Sequence, residues 1–175
     1  MNSFTEKVDD CPTCEYEENL SVLRSLEFFS GLPAETLKVF AYLCVREKLK
    51  AGDYLFRQHE EADKAVYVIS GTAGLFRETE GGETKMREYG AEDFLGGLGL
   101  MGGNRCLYSL KAISDMVCLV IIRDKFSVAL EQFPELKEKV ISRLIARIRS
   151  WEEQLLVRYA QNLEGLAGNV GVSLV

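Results

Sequence analysis

An α+β domain, built as an antiparallel β-roll of the jelly-roll kind with helices before and after it, is the fold this sequence predicts. Two patterns carry that expectation. Short β-rich runs recur between Val45 and Ile122 at about 8–12-residue spacing, the mark of a sandwich or barrel. On either side the apolar spacing becomes helical, and after Pro134 it persists for about 30 residues.

Residues 1–19 are acidic, with Pro12 and few large apolar groups, and are expected to form a flexible N-terminal segment. The β-roll unit, with its flanking helices, is expected over 20–133. Leu20, Leu23 and Leu26 open a helical pattern, which resumes at Pro33–Cys44 after a Gly31–Pro33 break; Pro33 suits a first turn. From Val45 the period shifts towards two. Tyr54–Arg57, Val66–Ile69, Leu75–Glu78, Thr84–Tyr89, Leu107–Ala112 and Met116–Ile122 read as strands, separated by turns such as Lys50–Asp53, Ser70-Gly71 and Glu80–Glu83. About eight strands are expected in all.

A helix over Asp124–Phe133 follows, and Pro134 opens the long C-terminal helix, expected over 134–163. Leu136, Val140, Leu144, Ile148, Trp151, Leu155 and Tyr159 form a single apolar stripe along about 45 Å of helix. Such a helix outruns a small barrel, so a second copy of the chain is expected on Leu144, Ile148, Trp151, Leu155 and Tyr159. The Lys and Arg residues interspersed there read as a solvated face.

Composition narrows the function. Of 175 residues, 47% are apolar and 27% charged, enough for a packed core. The net charge is −6, with 21 basic against 27 acidic side chains, which argues against a dedicated nucleic-acid binder. There is no apolar run long enough for a membrane span and no export signal at the start, so a cytoplasmic protein is expected. A single histidine, His59, leaves most His-based catalysis and His-rich metal sites without their residues, so no enzymatic activity is expected. Cys44 and Cys118 sit in apolar runs as core filler. Cys11-Pro12-Thr13-Cys14 is a CxxC pair: half a tetrahedral metal site, a redox couple, or incidental thiols.

Phe94–Arg105 is the unusual stretch. Five of its 12 residues are glycine, a composition that neither strand nor helix propensity explains. Unusual backbone angles or close approach by another group are expected there.

The order of these motifs resembles the cyclic nucleotide-binding domain, in the style of the effector domains of Crp/Fnr-type bacterial regulators. Lys-Ala-Gly-Asp-Tyr-Leu-Phe, Val-Tyr-Val-Ile-Ser-Gly, Asp-Phe-Leu-Gly-Gly-Leu-Gly-Leu, Asn-Arg-Cys and the long helix carry the likeness, from about Leu26 to Tyr159. The resemblance implies a phosphate-binding cassette whose amides and arginine hold a cyclic phosphate, a glutamate that accepts from the ribose hydroxyl, and a long helix that closes over the base. The sequence departs from that wording. Gly97 stands in the glutamate position, removing an anionic acceptor worth about 1.5–3 kcal/mol. Either Arg105 reaches the anion through a shortened loop, or Cys106 occupies the arginine slot. Leu107 and Tyr108 exceed the small pair expected next, and His59 and Glu92 occupy glycine positions.

The ligand site implied is Gly96, Gly97, Leu98, Gly99, Arg105 and Cys106, with Trp151 from the long helix. Its ligand is expected to be a small anionic effector or a cyclic nucleotide, and no cofactor is assigned. Two readings stand beside this sensor: a ligandless dimerisation module that docks a downstream protein, and a redox or metal sensor through Cys11 and Cys14. A tail over 164–175 is too short for a helix-turn-helix, so direct DNA binding is not expected.

Overall fold

The computed structural model describes residues 12–160. Two helices, α1 (Pro12–Ser25) and α2 (Ala34–Leu43), flank a single 3-10 turn at Glu27–Phe29. Strands β1 (Val45–Leu49), β2 (Tyr54–Phe56), β3 (Lys64–Ser70), β4 (Ala73–Thr79), β5 (Gly82–Tyr89) and β6 (Phe94–Leu95) follow. A second 3-10 turn at Gly97–Leu100 separates them from β7 (Ser109–Ala112) and β8 (Met116–Ile122), and helices α3 (Arg123–Gln132) and α4 (Pro134–Ala160) complete the order. No helix among the described residues is long and apolar enough to cross a membrane.

The eight strands form two four-stranded sheets, β1-β8-β3-β6 and β2-β7-β4-β5, with every pairing antiparallel. This is the α+β β-roll expected. Alternation decides what fills it: Val66 and Val68 of β3 and Cys118 and Val120 of β8 point inward, meeting Leu55, Phe56 and Leu110 from the other sheet. Burying each such side chain contributes about 1.5–3 kcal/mol.

The N-terminal helix starts earlier than the sequence suggested. Instead of a flexible segment to residue 19, the described chain is helical from Pro12, whose missing N–H costs nothing in a first turn. Asn19, Leu20 and Leu23 lie on its buried face. Two of its polar residues have a partner in β1: the Arg46 guanidinium donates to Asn19 Oδ1 at 3.0 Å and to Glu18 Oε2 at 2.7 Å. The starts of β5 and α3 fall within about two residues of their expected places.

A second core of five phenylalanines lies on the helical side. Phe40 stacks on Phe126 with centroids 5.1 Å apart, and Phe28 and Phe29 bridge from them to Phe94 of β6.

The chain divides into two compact units between Phe133 and Pro134. Proline disfavours the α region in the residue before it, and Phe133 is accordingly out of helical angles at φ −131°, ψ 72°. Within α4, Leu136, Val140 and Leu144 are buried. Farther along, Ile148 and Trp151 are exposed and Leu155 is half-buried. The side chain of Tyr159 lies outside the described residues, as do Cys11 and the tail over 164–175.

Gly71 shows how tightly the strand turns are stacked. Its φ is +84°, and a Cβ there would come within 2.3 Å of the Asp115 carbonyl oxygen. Thr72 N–H donates to Ser114 Oγ at 3.0 Å, and Ile113 N–H to the Thr72 carbonyl at 2.8 Å, so the turn after β3 leans on the turn before β8. Gly71→Ala should cost at least about 2 kcal/mol in urea unfolding, whereas Gly90→Ala, with open space around its Cβ, should stay within about 0.5 kcal/mol of the parent.

Candidate functional site

The glycine segment leaves β6 on Gly96, whose φ is +79°. A Cβ at Gly96 would lie 2.6 Å from the Lys64 carbonyl oxygen, and one at Gly99 2.9 Å from that of Ala62. A Cβ at Gly97 would press on the rings of Phe28 and Phe94, at 3.1 and 3.2 Å. The expected close approach is therefore present on two sides at once. The segment lies flat against the start of β3, with the aromatic core behind it.

The far end of the segment is held by a short antiparallel ladder. Ala62 N–H donates to the Asn104 carbonyl (2.7 Å), Cys106 N–H to that of Glu60 (2.8 Å), and His59 N–H to that of Cys106 (2.8 Å), around a bridge between Glu61 and Arg105. Neighbouring residues on such a ladder face opposite sides. Cys106 is buried; Arg105 is exposed, and its guanidinium donates to the His59 carbonyl at 3.0 Å.

Between segment and ladder lies a cavity of about 460 Å³. Gly96, Leu98 and Gly99 line one side and Asn104–Tyr108 another, with Phe56 and Glu61–Lys64 completing the wall. The structure thus brings together Gly96, Leu98, Gly99, Arg105 and Cys106 from the predicted set. Gly97 is directed to the phenylalanines, and Trp151 belongs to the second unit, where it is 62% exposed.

The wall is mostly apolar. Leu98 and Leu107 stand exposed at the mouth, Phe56 and Tyr108 pack together with centroids 6.2 Å apart, and Ala62 lies between. Its charges are few. Glu61 is neutralised by the Arg123 guanidinium, whose backbone N–H also donates to the Asp63 carbonyl at 2.7 Å. Burial, then the Glu60 and Asp63 carboxylates, pushes the Cys106 thiol up, and Lys64 pulls it down. A thiol that holds its proton more tightly than usual therefore sits beside the cavity, near the Arg105 guanidinium.

Sequence reasoning missed Phe56, Ala62, Asp63 and Lys64 as wall residues. A signal for Lys64 existed: it keeps the period-two register of Val66 and Val68, the inward positions of β3.

Comparison with known proteins places the fold. A family model described as the cyclic nucleotide-binding domain matches residues 46–133. The chain belongs to that family. It is 28% identical over 127 residues to the cGMP-dependent protein kinase, isozyme 1, of Drosophila melanogaster, covering 70% of this chain and 16% of the kinase. The chain thus spans about one-sixth of that relative's length, outside which most of the kinase lies. A cyclic nucleotide-binding-like protein from Brucella abortus shares 29% identity at a TM-score of 0.60, covering 65% of this chain and 98% of the other. The N-terminal domain of a transcriptional regulator from Streptomyces coelicolor superposes at a TM-score of 0.67 with 22% identity, over 75% and 95% of the two chains.

The other thiols are set by burial. It pushes Cys44 and Cys118 up to about 12, whereas Cys14 is exposed on α1. At pH 8 the first two are therefore held in the thiol form. With 5,5′-dithiobis(2-nitrobenzoate) at that pH, Cys14 should react while Cys44, Cys106 and Cys118 stay protected until urea is added. Their folded-state values lie above the ordinary thiol value of 9.0, so the stability they supply is whole below that pH and falls as pH rises towards 12. Rapid native labelling of Cys118 would contradict its placement.

Proposed function

We propose that this chain is a non-enzymatic regulatory module whose β-roll cavity binds a small effector other than cyclic AMP or cyclic GMP. The observation that carries the reading is the cavity of about 460 Å³ directly under the glycine segment, a size suited to a small organic ligand. Family membership supports a regulatory role. Three local features favour retuning. Gly97 offers no carboxylate for a ribose, and its Cβ direction is filled by Phe28 and Phe94. Cys106 is the buried residue of the ladder, and Arg105, exposed on the wall, has Nη1 donating to the His59 carbonyl. Leu107 and Tyr108 replace small residues with bulk that would crowd a cyclic phosphate.

A ligand that binds only the folded state stabilises it by RT ln(1 + [L]/Kd), about 2.7 kcal/mol at a hundred times Kd. Thermal melts of the chain should respond to small aromatic or aliphatic acids and be unmoved by millimolar cyclic AMP or cyclic GMP. A micromolar cyclic AMP response would overturn the retuned reading. Silence towards every small molecule would favour the ligandless module.

The exposed part of the α4 stripe supports assembly as a homodimer, through which an effector signal would pass to a downstream protein. Ile148 and Trp151 are large apolar groups in water, and Leu155 continues their face. Ile148→Asp combined with Leu155→Asp should halve the mass seen by light scattering. An unchanged mass would place the dimer seam elsewhere or show that the chain is a monomer.

A further inference from the structure

Strand β3 begins at Lys64, and alternate residues of a strand share a face. Val66 and Val68 belong to the core between the sheets, so Lys64 takes the inward position at the end where that core gives way to the cavity. A lysine facing the inside of a roll needs an anion close by, or a stem long enough to return its ammonium to water.

Among the described residues Lys64 forms no ion pair. The nearby carboxylates are engaged elsewhere or stand apart. Glu61 is held by Arg123, Glu60 Oε2 accepts from the Arg57 N–H at 2.7 Å, and Asp63 makes no ion pair with the lysine. Its charge reaches two inward thiols, Cys106 beside the cavity and Cys118 in the core, and draws both downward against burial. Arg105, the other cation on the wall, is exposed, and its Nη1 donates to the His59 carbonyl at 3.0 Å.

We propose that Lys64 is the anion-recognition residue of the cavity, and that the ligand it selects carries one acidic group on a compact apolar body. The inference rests on the reading of the cavity as an effector site. One inward ammonium matches one carboxylate or sulfonate, and it acts as a point charge without the planar fork that reads a phosphate bidentately. Phe56, Ala62, Leu98 and Tyr108 then supply the apolar surround.

Naphthalene-2-carboxylate and its neutral isostere naphthalene-2-carboxamide test this on the full chain by titration calorimetry. The parent protein should bind the acid at least about tenfold more tightly than the amide. Lys64→Met should bring the acid down to about the level of the amide, while Lys64→Arg should keep most of the preference. Lys64→Gln repeats the measurement should the methionine variant fail to fold. Ala62→Trp, which fills the cavity, should remove both ligands. A preference for the acid that survives in Lys64→Met and Lys64→Gln overturns the role of Lys64 and leaves the cavity reading standing. Binding of both probes that survives Ala62→Trp overturns the cavity reading itself. A parent protein that binds the amide as well as the acid, or binds neither, overturns the ligand class.

Discussion

Close contact between the glycine segment and the start of β3 is the constraint on which the site depends. Backbone packs on backbone there: the Cβ positions of Gly96 and Gly99 are taken by the carbonyls of Lys64 and Ala62. Any side chain at either position would lift the segment away from the strand, and the hollow bounded by the segment, the ladder and β3 would change shape. The cost in backbone entropy is about 0.5–1 kcal/mol per glycine relative to alanine in regular structure. That cost is tolerated because the segment gains a defined seat between two packed surfaces. One is the strand, and the other is aromatic.

The aromatic surface makes the site part of a larger object. Phe94 ends β6 just before the glycines, and it packs on Phe28, which touches Phe29 and Phe126 in turn. Interiors of this density transmit displacement poorly by compression and well by rigid shifts. A ligand that moved Gly97 would therefore meet Phe28 and Phe94 at once, and through them the helical side of the first unit. Glycine at 97 has a steric consequence as well as a chemical one. It offers no side-chain acceptor, and the rings of Phe28 and Phe94 lie where a Cβ would press on them.

The scaffold was legible in the sequence because it rests on periodicity. Val66–Ile69 and Met116–Ile122 alternate or run apolar in short β-branched stretches, and Gly71 marks the turn that the stacked carbonyl of Asp115 demands. The start of α1 was less legible, because the residues that fix it are polar: Asn19 and Glu18 are held by Arg46, a partner 27 or more positions away. No local pattern announces such a contact. The same holds for the site. Five glycines in 12 residues pointed to close approach, but Phe28, 69 positions before Gly97, and Lys64, 32 before Gly96, could be joined to the segment only by the fold.

The chemistry of the cavity turns on a difference of one residue. Arg105 and Cys106 are adjacent, and sequence spacing alone left both in contention for the position facing the ligand. On an antiparallel ladder a shift of one residue exchanges the two faces. Hydrogen bonds fix the register here: Cys106 exchanges both backbone bonds with the His59–Glu60 stretch, and Ala62 bonds to Asn104. With that register the Cys106 thiol is buried and the Arg105 side chain exposed, both on the cavity wall. One arm of the Arg105 fork, Nη1, is engaged with the His59 carbonyl. The cavity wall therefore combines a buried thiol, a guanidinium already bonded at one nitrogen, and Lys64 from a different strand. If Lys64 supplies the charge, as proposed above, the site presents a point charge beside an apolar wall and favours a ligand with one acidic group over one that needs a planar fork.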